Sequence, residues 1–255
     1  MPILEIGTVF SCRALTKTQF ELFVVAPQIS ALARPGQFVE MKCGDSRLLR
    51  RPISICAVKD DLLRFVFEVR GSGTEWLARR KTHDTLDLLG PLGDGVFPLF
   101  LDDPRPVLLV GGGIGVPPLY AVALARRAHA VLGFRTGDAM ILHADFATAC
   151  QTVLIATDDG SVGVHGTVGE PVERLLSQND YCAVLACGPK PMLRAVAELA
   201  ERHNTPCFVS MEERMGCGVG ACLGCACKTK RDGEERFAHV CKDGPVFPAS
   251  EVVWE

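Results

Sequence analysis

The sequence predicts an α/β-plus-β fold: an N-terminal antiparallel β-barrel, then a parallel α/β domain, then a small cysteine-rich C-terminal domain. Three observations predict it. Short β-prone runs separated by turn residues fill the first hundred positions, strand-like and helix-like runs alternate over the next hundred, and five of the 12 cysteines crowd into residues 217–241. The corresponding divisions are 1–102, 103–206 and 207–255. A length of 255 residues suits two domains and a small third piece, at roughly 100–200 residues per domain. With 48% hydrophobic and 22% charged residues, the composition is that of a folded chain able to bury a sizeable core.

The barrel runs are Ile6–Cys12, Phe20–Val25, Phe38–Lys42, Ile53–Val58, Leu63–Val69 and Thr85–Leu89. Turns separate them at Arg34-Pro35-Gly36, Cys43-Gly44-Asp45, Lys59-Asp60-Asp61 and Gly71-Ser72-Gly73. Strands this short and this evenly spaced suit a small antiparallel barrel. Thr74–Arg80 is predicted as a short helix, and Asp102–Pro106 as a linker. A buried-strand run, Val107–Val110, then leads into Gly111-Gly112-Gly113-Ile114-Gly115 and a helix over Pro117–Arg127. Prolines are tolerated in that first turn because its N–H groups have no helical partner. Strands are predicted at Val131–Arg135, Thr152–Thr157 and Cys182–Ala186, and helices at Ala139–Asp145, Val168–Leu176 and Pro189–Arg202. This alternation implies a parallel sheet with helices on both faces. Phe208–Met211 reads as one more strand.

Several function classes are excluded. A net charge of −3 argues against a general nucleic-acid binder. No stretch approaches the roughly 18 apolar residues that span a membrane, and the N-terminus carries no signal-peptide pattern. The expected location is therefore the cytoplasm, where thiols stay reduced and cysteine-rich segments serve metal or redox chemistry. No G-x-S-x-G and no H-E-x-x-H occurs, so hydrolysis has no candidate apparatus.

Cys217-x4-Cys222-x2-Cys225 has the plant-type spacing of a 2Fe-2S cluster, and Cys241 is the natural fourth ligand. Gly216, Gly218, Gly220 and Gly224 allow the loop to wrap and to aim N–H groups at sulfur. Structural zinc is the competing reading. Cys222 and Cys225 make one zinc-type knuckle, but Cys217 and Cys241 do not make a second. Cys227 is a spare thiol.

Arg51-Pro52-Ile53-Ser54 lies in the barrel. On one extended segment, an arginine can pair with a pyrophosphate, a proline can fix the backbone beside a ring, and a serine can hydrogen-bond near a reactive flavin nitrogen. Gly73 and Thr74 open the short helix, whose N–H groups and Thr74 hydroxyl suit an anion. Gly111, Gly112, Gly113 and Gly115 lie between a buried strand and a helix, the setting of a nucleotide phosphate loop, although Val116 departs from G-x-G-x-x-G. Asp158 and Asp159 follow a strand end and favour NAD over NADP, whereas Arg135 could pair with a 2′-phosphate.

Taken in order, Arg51-Pro52-Ile53-Ser54, Gly73-Thr74, Gly90-Pro91-Leu92-Gly93, the Gly111–Gly115 loop and Cys187-Gly188-Pro189-x-x-Met192 resemble the ferredoxin reductase-like flavoproteins. Glu212–Cys222 and Val240–Phe247 narrow the resemblance to the electron-transfer subunits of class 1B dihydroorotate dehydrogenases. This resemblance implies an N-terminal FAD barrel, an NAD-binding α/β domain and a 2Fe-2S C-terminus. It adds Glu68 and Val69 to the flavin-contacting segment, with Glu68 standing where a basic or neutral residue is expected. It places Cys187 and Gly188 where nicotinamide reaches the flavin. It also implies a partner, the FMN-containing dihydroorotate dehydrogenase catalytic subunit, in a heterotetramer with two copies of each. A sister flavoprotein subunit of a hydrogenase, sulfur reductase or transhydrogenase complex would share most of these motifs. A zinc-holding regulatory module is the more distant alternative.

Overall fold

The structure is a computed structural model and describes residues 2–45 and 47–254. The chain forms two compact units, each described here by itself.

The first unit comprises residues 1–96, 212–227 and 237–245. Its N-terminal part holds β1 (Ile3–Ala14), β2 (Gln19–Val25), α1 (Pro27–Leu32), β3 (Phe38–Met41), β4 (Arg51–Lys59), β5 (Leu62–Glu68), α2 (Ser72–Ala78) and β6 (Thr85–Leu92). The six strands close into a barrel of order β1-β2-β5-β4-β3-β6, all pairs antiparallel. Alternate residues point inward, so Val9, Leu22, Val39, Ile53, Phe65 and Leu88 fill the interior, as the two-residue period of a strand requires. Six strands were expected and six are found, each at least as long as its expected run except β3, which stops one residue short; β5 is shifted one residue toward the N-terminus.

Helix α1 was not foreseen. Pro27 starts it, and the buried Glu5 carboxylate of β1 accepts from the N–H groups of Gln28 at 3.1 Å and Ile29 at 2.8 Å. A capping group 23 residues upstream leaves no local sequence signal. A second buried carboxylate, Glu21, bridges Arg13 at 2.6 Å and Arg64 at 2.5 Å. Double pairing is what makes a buried charge tolerable.

The second unit comprises residues 97–211, 228–236 and 246–255. Its elements up to residue 210 are β7 (Val107–Gly112), α3 (Pro117–Ala125), β8 (Ala128–Phe134), α4 (His143–Ala149), β9 (Thr152–Thr157), β10 (Val164–His165), α5 (Gly169–Gln178), β11 (Ala183–Cys187), α6 (Lys190–Arg202) and β12 (Cys207–Ser210). A hairpin of β13 (Ala226–Arg231) and β14 (Glu234–His239) and the short β15 (Val246–Pro248) complete the chain. Seven strands form one sheet, β10-β9-β8-β7-β11-β12-β15. All six residues of β7 are buried, as a central parallel strand covered on both faces requires.

These units differ from the expected division at residues 102 and 206: residues 97–102 group with the second unit, and residues 207–255 are shared between the two. Strand β12 pairs in parallel with β11, and β15 pairs antiparallel with β12, Ser210 opposite Val246. The sheet is thus mixed at one edge rather than wholly parallel. The helix expected over Ala139–Asp145 starts later, at His143. Residues 137–139 form a single 3-10 turn, and Leu142 has φ +57°, which interrupts any continuous helix. Helix α3 stops at Ala125 because Arg126 turns extended, with φ −143°. Its guanidinium bonds the carbonyls of Asp103 and Arg105.

Candidate functional site

On β4, Arg51, Pro52 and Ser54 are partly exposed, whereas Ile53 is 7% exposed and belongs to the barrel core. Ile53 therefore offers only backbone to any cofactor. The Arg51 side chain packs on Gly73, where an added Cβ would stand 2.4 Å from Nε. Two residues 22 positions apart in the sequence are thus brought into contact, leaving the cation beside the start of α2. Glu68 pairs with Arg70 at 2.5 Å, and Val69 packs against the barrel core. The Thr74 hydroxyl accepts from the N–H groups of Arg70 at 3.0 Å and Gly71 at 3.3 Å and donates to the Gly71 carbonyl. The hydroxyl thus closes its own turn and shapes the loop at the start of α2.

The cysteine loop brings the four expected sulfurs together as two pairs. Within each pair one residue's N–H donates to the other's sulfur, Cys222 to Cys217 and Cys241 to Cys225. Backbone N–H groups converge on them. Ala221, Cys222 and Val219 donate to Cys217 Sγ at 3.3, 3.4 and 3.5 Å, and Gly220 donates to Cys241 Sγ at 3.2 Å. Cys241 N–H donates to Cys225 Sγ at 3.4 Å. Burial raises the Cys217 pKa, but the bonds from Cys222, Val219 and Ala221 outweigh it and hold the thiol down at about 6. Burial and the Cys225 bond push Cys241 up to about 12. The loop thus favours the thiolate, which is the form that ligates metal, at one member of the set. Among the described residues no three His, Cys, Asp or Glu side chains converge as a single ion would require. Two chelating pairs fit a two-iron cluster, in which four thiolates serve two metals. Cys227 is buried beside this set. An open cavity of about 440 Å³, lined in part by Gly218, Val219 and Cys241, gives access to the loop.

Glu40 was missed by sequence reasoning. It lies on β3, is 1% exposed, and neither carboxylate oxygen has a hydrogen-bond partner. Burial, opposed by Arg50, reinforced by Cys217 and opposed by Arg51, pushes its pKa up to about 7. The one available signal was a carboxylate inside the apolar run Phe38-Val39-Glu40-Met41.

In the second unit, strand order reverses between β7 and β11, and open α/β sheets bind ligands outside the carboxyl ends of strands at such a switch point. The Gly111–Gly115 loop follows β7, and Cys187 ends β11. A Cβ on Gly115 would meet the Cys187 carbonyl oxygen at 2.4 Å, so only glycine permits this loop to lie against that strand end. A cavity of about 430 Å³ opens here, lined among others by Gly112, Gly113, Arg135, Asp158 and Met192 of α6. Gly166 and Thr167 also line it and carry no motif that sequence reading could use. Cys187 is 1% exposed and is not part of the wall, and Gly188 packs against Met192. Asp159 differs from Asp158. Its carboxylate accepts from Ser161 N–H at 3.0 Å and Ser161 hydroxyl at 2.6 Å, an ordinary turn.

The comparisons with known proteins agree with this geometry. The family described as "Iron-sulfur cluster binding domain of dihydroorotate dehydrogenase B" matches residues 212–253. "Dihydroorotate dehydrogenase B (NAD(+)), electron transfer subunit" of Geobacillus kaustophilus (strain HTA426) is 45% identical over 257 residues, covering 96% of this chain and 97% of that protein. The chain belongs to the family of dihydroorotate dehydrogenase B electron transfer subunits. The Bacillus caldolyticus member is 44% identical over 259 residues, with 96% and 97% coverage. A solved structure of an NADH-dependent reduced ferredoxin-NADP oxidoreductase, described in connection with flavin-based electron bifurcation, superposes with a TM-score of 0.82 at 30% identity. It covers 97% of this chain and 90% of its own. The ferredoxin reductase in carbazole 1,9a-dioxygenase, at 23% identity and TM-score 0.67 over 80% of this chain and 67% of its own, shares the fold. Membership of the electron transfer subunits makes the chain an oxidoreductase subunit and bears out the resemblance read from its motifs. No helix among the described residues is long and apolar enough to cross a membrane.

Proposed function

We propose that this chain takes electrons from the FMN of a dihydroorotate dehydrogenase catalytic subunit and delivers them, by way of a 2Fe-2S cluster and FAD, to NAD+. The setting is cytoplasmic pyrimidine biosynthesis, in a heterotetramer with two copies of each subunit. One observation carries the reading. In a chain 45% identical to a relative of that name, cysteines with ferredoxin spacing stand as two sulfur pairs under five backbone N–H donors.

Cys217, Cys222, Cys225 and Cys241 would hold the cluster, and the N–H groups at their sulfurs would favour its negative charge. Arg51 would pair with the FAD pyrophosphate, Pro52, Ile53 and Ser54 would line the ring, and Glu68, Val69, Gly73 and Thr74 would shape the adjoining turn. Gly111, Gly112, Gly113 and Gly115 would receive the NAD phosphates, with Cys187 and Gly188 at the neighbouring strand end. When bound, a cluster handles single electrons, nicotinamide accepts hydride, and flavin does both. Oxidation of dihydroorotate is assigned to the partner subunit.

The test is anaerobic co-purification followed by a dihydroorotate-dependent NAD+ reduction assay. An FMN protein should co-purify, and NAD+ reduction should need both chains. Oxidation of dihydroorotate by this chain alone would contradict the proposal. The 30% identity to the NADH-dependent reduced ferredoxin-NADP oxidoreductase keeps a second reading, service to a different redox partner. The identity of the co-purifying protein separates the two.

A further inference from the structure

Among the described residues of the first unit, Glu40 is the buried carboxylate with no hydrogen-bond partner. Glu40 is 1% exposed and both its oxygens are unpartnered. Buried carboxylates in this barrel are otherwise paired: Glu5 accepts two N–H groups and Glu21 two arginines. An unsatisfied buried carboxylate is costly, and such a group in a native fold needs an explanation.

Its placement supplies one. Glu40 faces Pro52 of β4 across the β3–β4 ladder, on the outer side of a strand whose Val39 and Met41 fill the core. The cysteine loop packs there. Gly218 has φ +72°, and an added Cβ would stand 2.7 Å from Glu40 Cγ and 3.1 Å from Oε1. The carboxyl thus abuts the residue next to Cys217, with the flavin-strand residue Pro52 as its cross-strand neighbour. The charged groups around it are otherwise engaged. Arg50 bonds Asp87 at 2.8 Å and the carbonyls of Asp87 and Glu40 itself. Arg51 bonds the carbonyls of Leu49 and Arg50.

We infer that Glu40 tunes the cluster: its buried, unpaired negative charge beside Gly218 holds down the reduction potential of the iron held by the cysteine loop. This rests on the reading of those cysteines as cluster ligands. Reduction adds one electron to an already anionic centre. A fixed negative charge nearby opposes that addition, and burial weakens the dielectric screening between them. Glu40 acts through space and ligates nothing.

The experiment is potentiometric titration of the cluster in the intact complex at alkaline pH, where the carboxyl is charged, followed by electron paramagnetic resonance. Glu40→Gln should move the midpoint potential in the positive direction while iron content and the visible spectrum stay unchanged. Glu40→Asp, which keeps the charge, should stay near wild type. An unshifted potential in Glu40→Gln, or an equal shift in Glu40→Asp, would overturn the tuning role. Should Glu40→Gln lose iron, the uncharged Glu40→Met carries the same comparison. Loss of iron from both, with retention in Glu40→Asp, would replace tuning by a structural role. A wild-type complex with no iron–sulfur spectrum would instead sink the underlying cofactor reading, and is seen before any variant is made.

Discussion

The Arg51 guanidinium lies against Gly73 so closely that an added methyl group would stand 2.4 Å from Nε and 2.9 Å from Cζ. A flexible side-chain end can move away from such an intrusion, so Gly73→Ala should fold. Alanine is also favoured over glycine inside a helix by about 1 kcal/mol, and Gly73 lies within α2. Stability should hold or rise while Arg51 is displaced. Loss of a charge-assisted bond worth about 1.5–3 kcal/mol weakens FAD binding roughly 10- to 100-fold. Flavin-to-protein ratios after dialysis, set beside thermal melts, would show the two effects separating.

Gly115→Ala should behave in the opposite way. Here the obstructing atoms are the Cys187 carbonyl and the Gly188 nitrogen, which are backbone and cannot swing aside. A loss of about 1–3 kcal/mol is expected from forced overpacking. Urea unfolding of the variant would reveal it, and an unchanged midpoint would mean that loop and strand end are not held together as described.

Cysteine replacement should divide the thiols. Cys222→Ser and Cys217→Ser should lose iron, acid-labile sulfide and visible absorption, since each breaks one chelating pair. Cys227→Ser should retain all three. Retention of a full cluster by Cys222→Ser would refute the ligand assignment.

Asp158 and Arg135 line the same cavity. The carboxylate disfavours a 2′-phosphate and the guanidinium welcomes it. Asp158→Ala should narrow the preference for NAD+ over NADP+ by about tenfold, roughly 1.4 kcal/mol. Binding constants for the two nucleotides would check this.

His129 supplies a pH signature. Its Nδ1 lies 2.8 Å from the hydroxyl of the buried Tyr181. Burial, opposed by a Gln151 bond and reinforced by Arg127, lowers its pKa from 6.5. The unfolded chain therefore binds a proton more readily than the folded one near and below pH 6.5. This contribution to stability is complete above that value and is lost as pH falls through the lower folded pKa. His129→Gln should flatten the acid side of the stability profile measured by denaturant titration. An identical acid slope in the variant would show that this ring plays no part.

How legible all this was depended on the range of the interaction responsible. Strand β9 coincides with the run Thr152–Thr157 because a strand of a parallel sheet is written in consecutive β-prone residues. The cysteine spacing was equally readable, since four ligands from one loop and its return must recur at set intervals. Helix α1 depends on Glu5, far away in sequence, and so gave no local sign. The start of α4 is decided by the left-handed Leu142, a conformation that leucine does not advertise. At Thr74 the turn bonds were not legible, because residue type does not reveal that a hydroxyl closes its own turn. Glu40 stood out in sequence only as a carboxylate in an apolar run, and its place beside the cysteine loop depends on a contact with Gly218, 178 positions away.

Ser210 and Val246 are antiparallel neighbours, so residues 211–245 depart from and return to the second sheet at a single rung. Between those ends the segment is tied in again, Gly218 against Glu40, Pro245 bridged to Gly95 and Thr229 bridged to Val252. A change of length inside this segment would therefore strain those ties before it disturbed the register of the parallel strands β7 to β12.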